Sequence, residues 1–201
     1  MNWQQLLNLI VARIKQVVGL YAFVLIPMWG MFFLNESVLF GLWNIFGIVP
    51  RALDVGSMIG VFASWTMHGN LSHLIGNTVT LLQILFLFRL FEKNAYRTII
   101  KLVIASGLVT WVIGSPSSIH IGASGLCFAM FGYMIGGALF ARRWGYLLAC
   151  IIMGTGYWLT IKQGLMPQPG VSFAAHFGGL CAGLLLGANS KHHYTSVSRH
   201  Q

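Results

Sequence analysis

Gly122-Ala123-Ser124-Gly125 stands where a turn-forming segment, Gly114-Ser115-Pro116-Ser117-Ser118, gives way to the apolar run Leu126-Cys127-Phe128-Ala129-Met130-Phe131. A serine at such a junction has two meanings. It can cap the helix that follows, with glycines supplying the turn geometry. It can also be a nucleophile, flanked by glycines so that backbone N–H groups and a substrate approach closely. The four residues alone leave both meanings open, and the rest of the chain decides between them.

Composition sets the medium. Of 201 residues, 57% are hydrophobic and 7% charged, and the mean hydropathy is +0.76. A soluble domain carries about a quarter charged residues, so this chain lacks the means to cover a water-facing surface and is read as an integral membrane protein. Its acidic residues are Glu36, Asp54 and Glu92. That scarcity excludes a two-aspartate intramembrane protease, and no HExxH zinc motif is present. The net charge of +9 lies between apolar runs instead of along one face, so it reads as membrane topology and not as a nucleic-acid surface. Cys127, Cys150 and Cys181 all fall inside apolar segments, as small packed residues do, and not in a disulfide framework. No cofactor or metal site is expected.

The fold class expected is all-α, a polytopic membrane bundle of six transmembrane helices. Residues 1–16 set Trp3, Leu6, Leu7, Ile10 and Ile14 against Asn2, Gln4, Arg13 and Lys15, a pattern suited to a cytoplasmic interfacial helix. The membrane domain follows over 17–189, its first span at about 17–34. Residues 35–66 are apolar but broken by glycines, Pro50, Arg51 and Asp54, and read as a first loop with short interfacial helices. Five further spans are expected at about 71–90, 97–113, 124–141, 144–161 and 173–189. A cytoplasmic tail over 190–201 carries His192, His193 and His200 without the spacing of a metal site. Ten of the twelve basic residues fall on one side of this arrangement, leaving Arg51 and Lys162 on the other, so both termini are assigned to the cytoplasm.

Small residues at helix-packing spacing suggest close helix contact: Ala175, Gly179, Gly183 and Gly187 in the sixth span, and in the fourth the face shared by Ser124, Phe128, Gly132 and Gly136. Polar groups at membrane depth are costly and face a cavity or a partner. Singly, His73, Asn77 and His176 would each be packed residues. The topology, assigned from Lys and Arg alone, brings spans two, four and six in from outside. His73, Ser124 and His176 then share the outer part of the membrane, and His73 and Asn77, four apart, share a helix face. A serine and a neutral histidine within reach are the elements of a nucleophile and its general base. None of the three carboxylates is near His176 in sequence, which points to a dyad.

His68, His73 and Asn77 at this spacing, then Gly122-Ala123-Ser124-Gly125, then Ala175-His176-Phe177-Gly178-Gly179-Leu180 with Gly183, resemble the rhomboid family of intramembrane serine proteases over about 120 residues in order and spacing. The resemblance implies a serine endopeptidase of the compact six-helix bacterial type, in which Ser124 is the nucleophile and His176 the base. It implies an oxyanion hole from His73, Asn77 and the Ser124 backbone N–H. Phe128 would stack on the base, and His68 would brace the first loop. Gly122, Gly125 and Gly179 would be structural residues near the site. It further implies transmembrane protein substrates, cut near the outer face in a bacterial inner membrane. The Gly and Pro content of Lys162 to Gly170 suits a cap that moves aside, and no nucleic-acid partner is expected. Many members carry a Trp-Arg pair in the first loop where this chain has Met58-Ile59-Gly60-Val61, so its anchoring must differ. Ser115, Ser117, Ser118 and His120 are read as a solvated loop that could line a cavity entrance. Two alternatives remain: a catalytically silent membrane-protein binder, and a small transporter using His73 and His176 as proton-handling groups.

Overall fold

The computed structural model describes residues 2–166 and 170–191, with only the main chain of Lys191. The histidines of the tail and the Pro167–Pro169 centre of the cap lie outside the described residues. Among those described, the chain is helical throughout apart from loops and one isolated antiparallel bridge between Ile48 and His120.

Helix α1 runs without interruption from Trp3 to Ser37. Asn2 caps it, accepting from the Gln5 N–H while its own N–H donates to the Gln5 side chain. The amphipathic lead-in and the first span are therefore one helix, not two elements. At about 1.5 Å per residue, 35 residues exceed a hydrocarbon core of about 30 Å by roughly fifteen residues. Leu20, Val24, Met28 and Phe32, each four apart, form its buried stripe. Against α3, Trp29 donates to Thr78 Oγ1 at 3.0 Å and Tyr21 donates to the Leu82 carbonyl at 2.7 Å.

The first loop contains a 3-10 turn (Leu42–Phe46), the short helix α2 (Val55–Ala63) and a second 3-10 turn (Ser64–Thr66). It is fastened without a Trp-Arg pair. Arg51 donates through its guanidinium to the Gly114 carbonyl and through its backbone to the Trp111 carbonyl, while Trp111 Nε1 donates to the Ala52 carbonyl. The Ser57 hydroxyl closes a two-way link with Val49, and the Val61 backbone packs directly on Gly107.

Helices α3 (Leu71–Phe91) and α4 (Ala95–Ile113) follow, then α5 (Ser124–Leu139). The expected span 144–161 is broken: α6 (Trp144–Gly156) and α7 (Trp158–Gly164) meet at an 84° bend. Gly154 and Gly156 weaken helix propensity at the break, and Thr155 turns its hydroxyl back onto the Ile151 carbonyl. The last helix, α8 (Phe173–Ala188), is capped by Ser172. Among the described residues three helices, α1, α3 and α4, are individually long and apolar enough to cross a membrane, and the bent α6–α7 pair makes a fourth if it is one broken span. Helices α5 and α8, with 16 residues each, are about 24 Å long.

Those two short helices form the centre. Their small-residue rows face each other, so that a Cβ at Gly179, Gly183 or Gly187 would run into the carbonyls of Gly125, Ala129 or Tyr133. In the other direction, Gly132 and Gly136 lie against the Leu180 and Leu184 carbonyls. Backbone meets backbone along the whole contact, the arrangement small residues permit in lipid. Any side chain larger than hydrogen at these positions would push apart the helices that carry Ser124 and His176.

Candidate active site

Gly122 opens the site. Its φ of +110° is a conformation that side-chain-bearing residues avoid, and its N–H donates to the Ser64 carbonyl at 2.9 Å. A Cβ there would also lie 2.7 Å from His73 Nε2 and 3.5 Å from Asn77 Nδ2. The bare Cα is what lets both side chains of α3 approach the turn two residues before Ser124.

Ser124 is the first residue of α5 and His176 lies in the first turn of α8. The packed backbones bring them together: Ser124 Oγ is 2.7 Å from His176 Nε2. The other ring nitrogen, Nδ1, lies 2.6 Å from the Gly164 carbonyl. A carbonyl only accepts, so Nδ1 carries the proton, and Nε2 is left as the acceptor of the serine O–H. Phe128, one turn after Ser124, stacks on the imidazole with ring centroids 4.5 Å apart and 20° between planes. Three contacts thus fix the ring, and none involves a carboxylate.

Gly164 was not legible as a site residue. The sequence places it in a loop cap, whereas it ends α7, and the bend at Tyr157 is what aims its carbonyl at His176. A Cβ at Gly164 would meet the Phe128 ring and His176 Nδ1. The sequence signal available was the Gly and Pro content of 162–170, which marks a break but not a carbonyl aimed at His176.

Asn77, buried on α3, donates from Nδ2 to His68 Nε2 at 2.9 Å, and His68 meets His73 edge to face at 5.0 Å. His68 is buried in the loop ahead of α3. Burial first, then the nearby His73, pull its pKa from 6.5 down to about 4 against an opposing backbone contact with Thr66. It is therefore neutral near pH 7 and free to accept. The Asn77 amide has a second N–H beyond the one given to His68. Gly125 lies 3.4 Å, measured from the position of a Cβ, from the Ala175 carbonyl, and Gly179 packs on Gly125, so both are part of the helix contact.

Beside the site lies a small recess with about 20 Å³ of space for water centres, bordered by Ser64, Ser106, Thr110 and His120. That is room for about one water. His120 is buried, and the Ser115–Ser118 loop is folded on itself, with Ser118 Oγ donating to the Ser115 carbonyl at 2.6 Å.

The apolar spans and the helical architecture define an integral membrane protein of the all-helical class. The sequence matches the Rhomboid domain family model over residues 55–191. The chain belongs to the rhomboid family. Among curated proteins it is similar to an uncharacterised protein of Mycobacterium leprae, 30% identical over 143 residues, covering 67% of this chain and 57% of that relative. Uncharacterised proteins of Mycobacterium bovis and Mycobacterium tuberculosis are each 32% identical over 146 residues, covering 67% of this chain and 60% of theirs. The chain thus spans less than two thirds of the length of these relatives.

Proposed function

We propose that this protein is an intramembrane serine endopeptidase that cuts transmembrane segments of other membrane proteins with a Ser124–His176 dyad. The observation carrying this is the 2.7 Å contact between Ser124 Oγ and His176 Nε2, with Nδ1 committed to the Gly164 carbonyl. Ser124 Oγ attacks the amide carbon as Nε2 takes its proton. The carbonyl oxygen, now an anion, is met by the second Asn77 N–H, by His73 and by the Ser124 backbone N–H. The C–N bond then breaks as Nε2 returns the proton to the leaving amine. Water, deprotonated by the same Nε2, hydrolyses the acyl-serine and restores the hydroxyl.

The bundle crosses the membrane six times with both termini in the cytoplasm, α5 and α8 serving as short central spans. Helices of about 24 Å fall short of a core of about 30 Å. The shortfall lies at their N-terminal ends, leaving Ser124 and His176 in a recess below the outer surface, where water reaches them. A peptide bond in a helix has its carbonyl engaged in the backbone ladder, so substrates are cut where the segment unwinds near that outer end. The setting inferred is a bacterial plasma membrane.

The test is cleavage of a fluorescent transmembrane peptide by purified protein in liposomes, with Ser124→Ala beside wild type and fluorophosphonate labelling of Ser124 as a second readout. Cleavage and labelling by wild type, both lost in Ser124→Ala, are expected. Folded wild type that neither cuts nor labels would overturn the proposal in favour of a silent binder.

A further inference from the structure

A second serine–histidine pair lies alongside the first with the roles exchanged between chain segments. His120 stands four residues before Ser124, and Ser172 four residues before His176. His120 Nδ1 is 2.6 Å from Ser172 Oγ, and this pair, like Ser124 and His176, is separated by 52 residues. The donors can be assigned by counting. Ser118 Oγ spends its only hydrogen on the Ser115 carbonyl, so at 2.9 Å it accepts from His120 Nε2–H. Nδ1 is then unprotonated and accepts the Ser172 O–H.

Both partners are tied to the machinery on either side. The His120 main chain is bonded in both directions to Ile48 of the first loop, at 2.9 and 3.0 Å. Ser172 Oγ accepts from the Ala175 N–H at 3.1 Å, and the Ser172 carbonyl accepts the His176 N–H at 3.1 Å. His120 therefore joins three parts: its main chain holds the first loop, and its buried imidazole ties the segment leading into Ser124 to the first turn of the helix bearing His176. Serine capping alone does not require this, since a cap needs only the Ser172 oxygen and the backbone of α8.

We propose that His120 is a positioning residue for the proposed proteolysis: through Ser172 it holds the first turn of α8 in register with the Ser124 loop, and so sets the contact between nucleophile and base. The inference rests on the serine-protease reading above. It predicts that losing the link displaces His176 by a fraction of an ångström without unfolding the bundle, a misplacement that acts on turnover and not on substrate binding.

The experiment compares wild type, His120→Phe, His120→Asn and Ser172→Ala in the liposome assay, together with hydrogen–deuterium exchange of the peptide covering residues 172–180. His120→Phe keeps the ring volume and leaves Ser172 free to cap. It should lower kcat about 10- to 100-fold with KM within about twofold, and should speed exchange in the first turn of α8 while α3 and α5 keep wild-type protection. His120→Asn retains an acceptor in the place of Nδ1 and should recover most of kcat. Unchanged kcat in His120→Phe, or an equal loss in His120→Asn, would overturn the proposal, as would unchanged exchange in the first turn of α8. Inactive wild type would sink the protease reading, while the exchange comparison would still decide whether His120 orders α8.

Discussion

The two ends of α3 hold comparable amounts of buried polarity and use it differently. At the Glu92 end, the carboxylate takes Tyr133 O–H at 3.1 Å, Tyr146 O–H, Arg143 Nη1 at 3.0 Å and the Asn94 N–H at 3.0 Å. The carboxylate accepts four bonds, three at Oε2 and one at Oε1. The Arg143 guanidinium also lies 3.9 Å over the Tyr146 ring and donates to the Phe91 carbonyl. Burial raises the Glu92 carboxyl, but the bonds from Tyr146 and Asn94 and the charge of Arg143 outweigh it and leave the pKa below its ordinary value. The Ser124 end holds no carboxylate and has capacity to spare: a second N–H on Asn77, and a serine hydroxyl aimed at an unprotonated nitrogen of a ring that Gly164 and Phe128 hold in place. A cluster whose donors converge on one carboxylate fastens helices together. One with a donor left over, held rigid from behind, can act on something else.

The largest expected consequence of that difference is at the base. His176→Ala should lower cleavage by at least about 10⁴-fold, because serine then has no proton acceptor. Thermal unfolding of the same sample should show the bundle intact. Asn77→Ala comes next, with a loss of about 10²–10³ in kcat, the usual consequence of removing one oxyanion donor. Unchanged kcat would take Asn77 out of that role and leave it as the partner of His68 alone.

Glu92→Gln should have the reverse signature. It leaves Arg143 without its carboxylate and should destabilise the protein by about 2 kcal/mol, the usual worth of a hydrogen bond to a charged group, seen as a lower midpoint in denaturant or heat. Cleavage per folded molecule should stay as in wild type. A selective loss of kcat would mean that the two ends are coupled through α3 or α5.

Acid should separate the ends more gently. His68 is depressed from 6.5 to about 4, and burial depresses His120 as well. Below 6.5 the unfolded chain binds protons that the folded one refuses. Their stability contribution is therefore full above pH 6.5 and declines as pH falls towards 4. The Glu92 contribution is lost only at lower pH, below the ordinary carboxyl value of 4.5. Melting curves from pH 7 to 3 should show a first decline that His68→Gln reduces and Glu92→Gln leaves in place.

Much of this architecture was legible because membrane proteins write it in composition. The α3, α4 and α5 boundaries follow from apolar runs and, for the last two, from the glycines of the turn between them, Gly114 and Gly122. The glycine rows of α5 and α8 announce a backbone-to-backbone contact because no other residue type fits one. His73, Asn77, Ser124 and His176 were noticeable as polar groups in an apolar setting, and the structure gathers them around Gly122. Other features left weaker traces. The continuity of α1 hides behind a change from amphipathic to apolar pattern that does not break a helix. The bend at Tyr157 follows from two glycines that elsewhere in the chain sit inside straight helices.

The sequence by itself determined the medium, the helices and the residue types able to do chemistry, since these depend on local hydropathy, propensity and spacing. The tertiary structure alone decided which nitrogen of His176 faces Ser124, because that rests on the main-chain carbonyl of Gly164, twelve residues earlier, brought in by the bend at Tyr157. It also decided that four donors converge on Glu92 while Asn77 keeps an N–H to spare. Hydrogen-bond occupancy is a property of three-dimensional neighbours, and a backbone carbonyl is the same in every residue, so neither could be read from the letters.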